Sequence, residues 1–399
     1  MKQGVRKMRY CVRCVTPDTR PRVEIDSEGI CNACRQADKK KNQIDWKIRK
    51  REFEQILDEV RTKDPMKYDC VVPGSGGKDS IQVAYRMKHD YGMNPLLVTY
   101  PVANDMYTAA GKKNFEIFRT RLGIDHITFT PNPEVDKKLL KKFFILYGDP
   151  YLPWSKAVHT LPVKVALAFN IRLIVYGEPP SEYGGPELAR MSVKSVKEIA
   201  KTGSVKDITE PENWPSLFED GSVKLSDLKP FIYPAQEELD KANITAVYFG
   251  YYHYWDPYEN YKFCKEQFDW NEHDYRFEGS WMNQYSLDDK MDTFYQYLML
   301  LKFGISRAQK EAAPLIRAGH LTKEEFMQKI RDVYYEFPYR YLRECMDWLG
   351  MSENEFFAVL EKFRNRDIWE RVNCEWRVKY PPWKDKEGAL NEKRKEAKK

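Results

Sequence analysis

The chain has 399 residues, 42% hydrophobic and 32% charged, enough to bury a full core in more than one module and unlike a disordered composition. No apolar run approaches the roughly 20 residues of a membrane-spanning helix, and the basic N-terminus leads into no apolar stretch, so a cytoplasmic protein without signal peptide is expected. The net charge of +6 sits at the ends: residues 1–60 hold 15 basic against 10 acidic residues and 384–399 hold 7 against 4, leaving a body without the basic surface of a nucleic-acid enzyme.

The first module, residues 1–45, is short on apolar periodicity and carries Cys11, Cys14, Cys31 and Cys34. Two CxxC knuckles 16 residues apart can wrap one tetrahedral Zn²⁺ with four thiolates and so fold a segment that has no core of its own. An iron–sulfur cluster is the alternative. Cys70, Cys264, Cys345 and Cys374 are scattered singly, which fits reduced thiols and no disulfide framework.

A helix is predicted over Trp46–Arg61, ended by Lys63-Asp64-Pro65. Short apolar strands and helices then alternate. Strands are predicted at Cys70–Val72, Leu96–Tyr100, Ile127–Phe129, Ile171–Tyr176 and Ala246–Phe249, the last closing the sheet. Helices are predicted at Asp79–His89, Ala109–Leu122, Val135–Leu146 and Leu161–Phe169. Strands apolar on both faces and interleaved with helices mean a doubly wound parallel α/β sheet. This second module spans 46–285, with 202–245 read as an insertion or lid. A helical region follows over 286–383, with helices at Leu287–Lys302, Arg307–Ala318, Lys323–Tyr335 and Tyr341–Leu349. Residues 384–399 read as a frayed, disordered basic tail.

The sharpest motif is Pro73-Gly74-Ser75-Gly76-Gly77-Lys78-Asp79-Ser80, between a predicted strand and a predicted helix. Glycines there let the backbone approach an anion, Ser75 and Ser80 add hydroxyl donors, and the helix N-terminus adds free N–H groups. The spacing fits neither G-x-x-x-x-G-K-[ST] nor G-x-G-x-x-G. A second candidate loop follows the fourth strand, where open α/β sheets bind ligands. In it Glu178 suits Mg²⁺ or a substrate hydroxyl, Tyr183 suits a sugar or base face, and Gly184 and Gly185 suit close backbone approach. A solvated Pro/Gly loop is the plainer reading. The aromatic run Gly250–Pro257, with His253 and Trp255, is either a sugar platform or ordinary packing. His89, His126, His159, His273 and His320 show no metal or catalytic spacing and read as structural.

Ser75, Gly76, Gly77, Asp79 and Ser80 match the Ser-Gly-Gly-x-Asp-Ser signature of the PP-loop ATP pyrophosphatases, with Lys78 at the variable position. The paired CxxC segment, this loop, the Gly-Glu-Pro…Glu-Tyr-Gly-Gly loop and the Tyr-Trp-Asp-Pro stretch, in that order, resemble the N-acetyl sugar amidotransferases of bacterial O-antigen and surface-glycan loci, over about residues 8–380. The resemblance implies an adenine nucleotide alpha hydrolase-like fold with ATP and Mg²⁺ held by Pro73 to Gly77, Asp79 and Ser80, joined by Thr99 and Tyr100. Ser75, Lys78, Asp79 and Glu178 would be catalytic, with Tyr183, Gly184, Gly185, His253 and Trp255 on the substrate side. It also implies adenylation of the acetamido oxygen of a nucleotide-linked sugar and displacement by ammonia to give an acetamidino sugar. No glutaminase nucleophile is evident, so a glutaminase/cyclase-like pair is expected to supply nitrogen in trans. A tRNA thiolase and a non-catalytic nucleotide-binding module are the alternatives.

Overall fold

The computed structural model describes residues 7–102, 106–192, 210–285 and 287–384. Residues 385–399 of the expected tail and residues 202–209 of the expected insertion lie outside the described residues.

The centre is a six-stranded sheet in the order β3-β2-β1-β4-β6-β5: β1 Cys70–Pro73, β2 Pro95–Thr99, β3 His126–Thr128, β4 Leu173–Tyr176, β5 Arg190–Ser192 and β6 Thr245–Tyr248. All neighbours are parallel except β5, which runs antiparallel to β6. Side chains alternate along each strand between two cores. Cys70 and Val72, Leu97, Leu173 and Val175, and Val247 face one core, shared with three helices that follow α1 (Asn32–Asn42) in the chain: α2 (Trp46–Val60), α3 (Lys78–His89) and α4 (Ala109–Thr120). Val71, Leu96 and Val98, Ile174 and Ala246 face the other, shared with α5 (Pro133–Tyr147) and α6 (Leu152–Ala168). Burial on both faces is why the strands read as unbroken apolar runs.

The expected elements fall in place with four differences. The sheet is closed by β5 and not by β6, which lies between β4 and β5. Only Met191 of β5 is buried, so its three residues give no apolar signal. Helix α6 begins nine residues before the expected Leu161, because Pro153 occupies the first turn, where its missing N–H costs nothing, and Pro162 is carried within the helix. The helix expected from Leu287 begins at Asp292. Residues 287–289 instead run irregularly beside the α4 N-terminus, where Thr108 N–H donates to the Asp288 carbonyl at 3.1 Å and Tyr107 pairs with Asp289. Finally, residues 210–242 of the expected lid carry 3₁₀ turns at Pro211–Leu217 and Leu225–Leu228 and a helix at Gln236–Ala242. Trp214, Leu228, Phe231 and Leu239 join the second core.

The C-terminal region packs helices Asp292–Phe303, Arg307–Ala318, Lys323–Val333, Leu342–Leu349 and Glu353–Lys362 with a hairpin, Trp369–Val372 and Glu375–Val378, around one apolar cluster. Ser306 with Gln309, Thr322 with Glu325, and Ser352 with Glu355 form capping boxes that start three of these helices. Among the described residues no helix is long and apolar enough to cross a membrane.

Candidate active site

Neighbouring strands β1 and β4 continue into connections that wind to opposite sides of the sheet, which makes their carboxyl ends the switch point where open α/β sheets bind ligands. A cavity of ≈ 570 Å³ opens there. Of the expected residues it is lined by Pro73, Gly74, Ser75, Gly77, Lys78, Asp79, Ser80, Tyr100 and Glu178.

The Pro73–Ser80 loop is shaped as an anion cradle. Among the described residues, no main-chain N–H from Ser75 to Ser80 meets a hydrogen-bond acceptor. Gly76 has φ +90°, and a Cβ on it would lie 2.7 Å from Phe115 Cα, so its glycine is demanded by the fold beneath the loop. A Cβ on Gly77 would meet only Ser75 Oγ, at 3.5 Å, so the space over Gly77 belongs to the cavity. Thr99 lies behind the loop, outside the cavity lining. Its hydroxyl donates to the Gly74 carbonyl at 2.5 Å, and its role is to hold the loop.

Charges around the loop are paired and partly buried. Lys78 Nζ lies 2.7 Å from Asp79 Oδ2, and Asn260 Nδ2 donates to Asp79 Oδ1 at 2.8 Å. Burial pulls the Lys78 ammonium down, but Asp79, Tyr285 and Glu178 outweigh it and hold it above the ordinary lysine range. Burial, reinforced by the Asp79 charge, pushes Glu178 up to about 7, while Tyr183, whose hydroxyl donates to Glu178 Oε1 at 2.6 Å, pulls the other way.

Several lining residues escaped the sequence reading. Asp288, Asp289, Asp292 and Tyr295 come from the C-terminal region, and Tyr285 from the stretch just before it. Burial raises Asp288 to about 6 and Asp289 to about 8. The run Asp288-Asp289-Lys290-Met291-Asp292 is an acidic signal in the sequence that a helix beginning at Leu287 leaves without a role. His159, read as structural, also lines the cavity. Its Nδ1–H donates to the Ser155 carbonyl at 2.7 Å, so the neutral ring keeps its lone pair on Nε2, and burial lowers its pKa.

Other expected substrate residues lie elsewhere. His253 is buried, stacked on Phe249 at 3.9 Å between centroids and bonded to Tyr91. Trp255 is buried in the core behind Gly177. His253 and Trp255 are therefore packed in the core and do not line the cavity, while Tyr254 of the same run is exposed. Gly184 (φ +86°) is close to the N-terminal module, not to the cavity: a Cβ would sit 2.6 Å from Asn32 Oδ1, and Asn32 Nδ2 donates to its carbonyl at 2.9 Å. Tyr183 and Gly185 line a second pocket.

In the N-terminal module Cys11, Cys14, Cys31 and Cys34 are buried free thiols, with all four Sγ atoms within 4.8 Å of one another. The separations Cys11–Cys34 of 3.8 Å and Cys14–Cys31 of 3.6 Å are too long for disulfides. They match the edge of about 3.8 Å that a sulfur tetrahedron takes around one zinc ion at about 2.3 Å. The cluster packs on Ala313 and Ile316. Around it, Arg317 donates to the Glu182 carbonyl at 3.0 Å, and buried Lys40 bonds Glu182 at 2.6 Å and the Trp255 carbonyl at 2.7 Å. The module thus braces the loop that carries Glu178 and Tyr183.

Residues 275–381 match the family described as LPS biosynthesis protein WbpG-like, C-terminal domain. No curated protein matches the chain. The matched segment contains Tyr285, Asp288, Asp289, Asp292 and Tyr295, so the region similar to a lipopolysaccharide-biosynthesis protein supplies one wall of the cavity.

Proposed function

We propose that this chain is a PP-loop amidotransferase that uses ATP to activate the acetamido oxygen of a nucleotide-linked N-acetyl sugar. The observation that carries the reading is the Ser75–Ser80 loop, whose unpaired N–H groups open onto a large cavity at the β1/β4 switch point. That arrangement suits the pyrophosphate end of ATP. The similarity of the C-terminal wall to a lipopolysaccharide-biosynthesis protein supports a glycan substrate.

An amide oxygen leaves poorly until it carries a phosphoryl group. In the proposed reaction the acetamido oxygen attacks the α-phosphorus of ATP and pyrophosphate departs. Ammonia then adds to the activated carbon, and AMP leaves with the former acetamido oxygen. The loop N–H groups and Lys78 hold the departing phosphates, a task of positioning and charge stabilisation that needs no covalent nucleophile. Glu178, poised near neutrality, takes the proton from the adding nitrogen. Asp79 and Asp288, both in the cavity wall, suit a Mg²⁺ ion, which when bound neutralises phosphate charge. The zinc module is structural, and nitrogen comes from an ammonia-donating partner in trans.

The test supplies purified protein with Mg·ATP, ammonium salt and a UDP-linked N-acetyl sugar labelled with ¹⁸O in the acetamido group. AMP carrying the label, with an amidine-bearing sugar, supports the reading. AMP release that requires tRNA moves the chain to base thiolation, and ADP with phosphate eliminates this mechanism.

A further inference from the structure

Beside the main cavity lies a second pocket of ≈ 290 Å³, built by all three regions of the chain. Arg20 and Arg22 come from the turn between the two zinc knuckles, Tyr183 from the loop after β4, Asp149 from the α5–α6 connection, and Tyr295 and Phe303 from the first C-terminal helix. Tyr295 lines both this pocket and the main cavity, and Tyr183 bonds to Glu178, which also lines the main cavity. The two spaces share an aromatic partition.

Each ring of that partition carries a cation. The Arg20 guanidinium lies 5.1 Å from the Tyr183 centroid, and Lys310 Nζ lies 5.1 Å from the Tyr295 centroid. Among the described residues Arg20 has no carboxylate partner and no hydrogen-bond acceptor for its guanidinium, and burial pulls its pKa down. Arg20 is partly exposed at this pocket, and its guanidinium donors are free for an anion that enters. Its own backbone is fixed by turns, with Arg20 N–H on the Pro17 carbonyl at 3.2 Å and Val23 N–H on the Arg20 carbonyl at 3.1 Å. The pocket also offers an acceptor: Asp149, raised to about 6 by burial, with Oδ1 taking the Tyr151 N–H at 3.0 Å.

We infer that this pocket binds the anionic part of the acetamido sugar substrate, with Arg20 as its recognition residue, so that the acetamido group reaches past Tyr295 toward the ATP cavity. This rests on the amidotransferase reading for the identity of the substrate. Guanidinium matches phosphate and carboxylate equally well, and the anion is either the diphosphate of a nucleotide carrier or a carboxylate on the sugar itself. The zinc module then has a second role besides bracing, since it presents Arg20.

Equilibrium dialysis of the zinc-loaded protein measures this without turnover. The probes are UDP-N-acetylglucosamine, N-acetylneuraminate and neutral N-acetylglucosamine. At least one acidic probe is expected to bind at least tenfold tighter than the neutral sugar and to weaken with added salt. Arg20→Gln should cut that affinity roughly 10-fold to 100-fold, the loss of a charge-assisted hydrogen bond, and Arg20→Lys should restore part of it. Affinity for a non-hydrolysable ATP analogue and the zinc content should stay within twofold. Which acidic probe responds tells diphosphate from carboxylate. The inference is overturned if no acidic probe outbinds N-acetylglucosamine, if R20Q binds like wild type, or if ATP-analogue affinity falls in parallel. Arg20-dependent sugar binding with no AMP release would cost the proposed reaction but keep the site.

Discussion

The hydroxyl of Ser75 lies 3.1 Å from Asp288 Oδ2, a contact across 213 residues that ties the phosphate-loop candidate to the C-terminal region. Without that region the loop would face open solvent, so the cavity is a product of both.

Asp288→Ala should therefore impair the loop without unfolding the chain. Losing a hydrogen bond to a charged group corresponds to about 1.5–3 kcal/mol, or roughly 10-fold to 100-fold in kcat/KM for ATP. AMP release measured against ATP concentration checks it, and wild-type kinetics would remove Asp288 from the site.

Glu178 predicts a pH profile. Its base form accumulates as pH rises through about 7, so the rate should climb over that range and level above it. Tyr183→Phe deletes the hydrogen bond that holds Glu178 down, so the rising limb should move to higher pH. Glu178→Gln should flatten the limb and lower kcat about 10²-fold to 10⁴-fold.

Gly76 and Gly77 should separate fold from function. Gly76→Ala combines a positive φ with a 2.7 Å approach to Phe115 Cα and should destabilise the chain by about 2 kcal/mol or more in urea unfolding. Gly77→Ala meets no such neighbour and should fold with wild-type stability within about 1 kcal/mol, yet bind the ATP analogue more weakly. Equal destabilisation of both would sink the cradle.

Asp289 predicts how stability varies with pH. Its pKa is raised from the ordinary carboxylate value to about 8 by burial, with the Asp292 charge adding to it. The folded state therefore binds the proton more tightly than the unfolded state, and stability from this group is present below about pH 4 and lost as pH climbs toward 8. Asp289→Asn keeps an acceptor for Tyr151 and the Asp292 N–H. Its Tm should rise relative to wild type between pH 5 and pH 8, and a constant difference would contradict the assigned protonation.

Zinc analysis should find one ion per chain, released by Cys14→Ala or by strong chelators. Because Asn32, Lys40 and Arg317 hold the loop from 178 to 184, metal loss should open that loop to protease. Unchanged digestion after metal removal would uncouple the module from the cavity.

The sequence by itself determined the parts whose chemistry is local. Strands buried on both faces read as apolar runs, paired CxxC knuckles announce a four-thiol cluster, and Gly-Gly between strand and helix announces a loop whose N–H groups stay unpaired. Tertiary structure decided what depends on convergence. Asp288, Asp289 and Asp292 become cavity residues only because the chain before the first C-terminal helix stays irregular and docks on α4. His253 and Trp255, polar-tipped aromatics that read equally as platform or packing, were settled by burial. Gly184, which looked like room for a ligand, is room for Asn32. Residue type and spacing report what a side chain can do, whereas which groups meet across a cavity is fixed by long-range packing that no local pattern encodes.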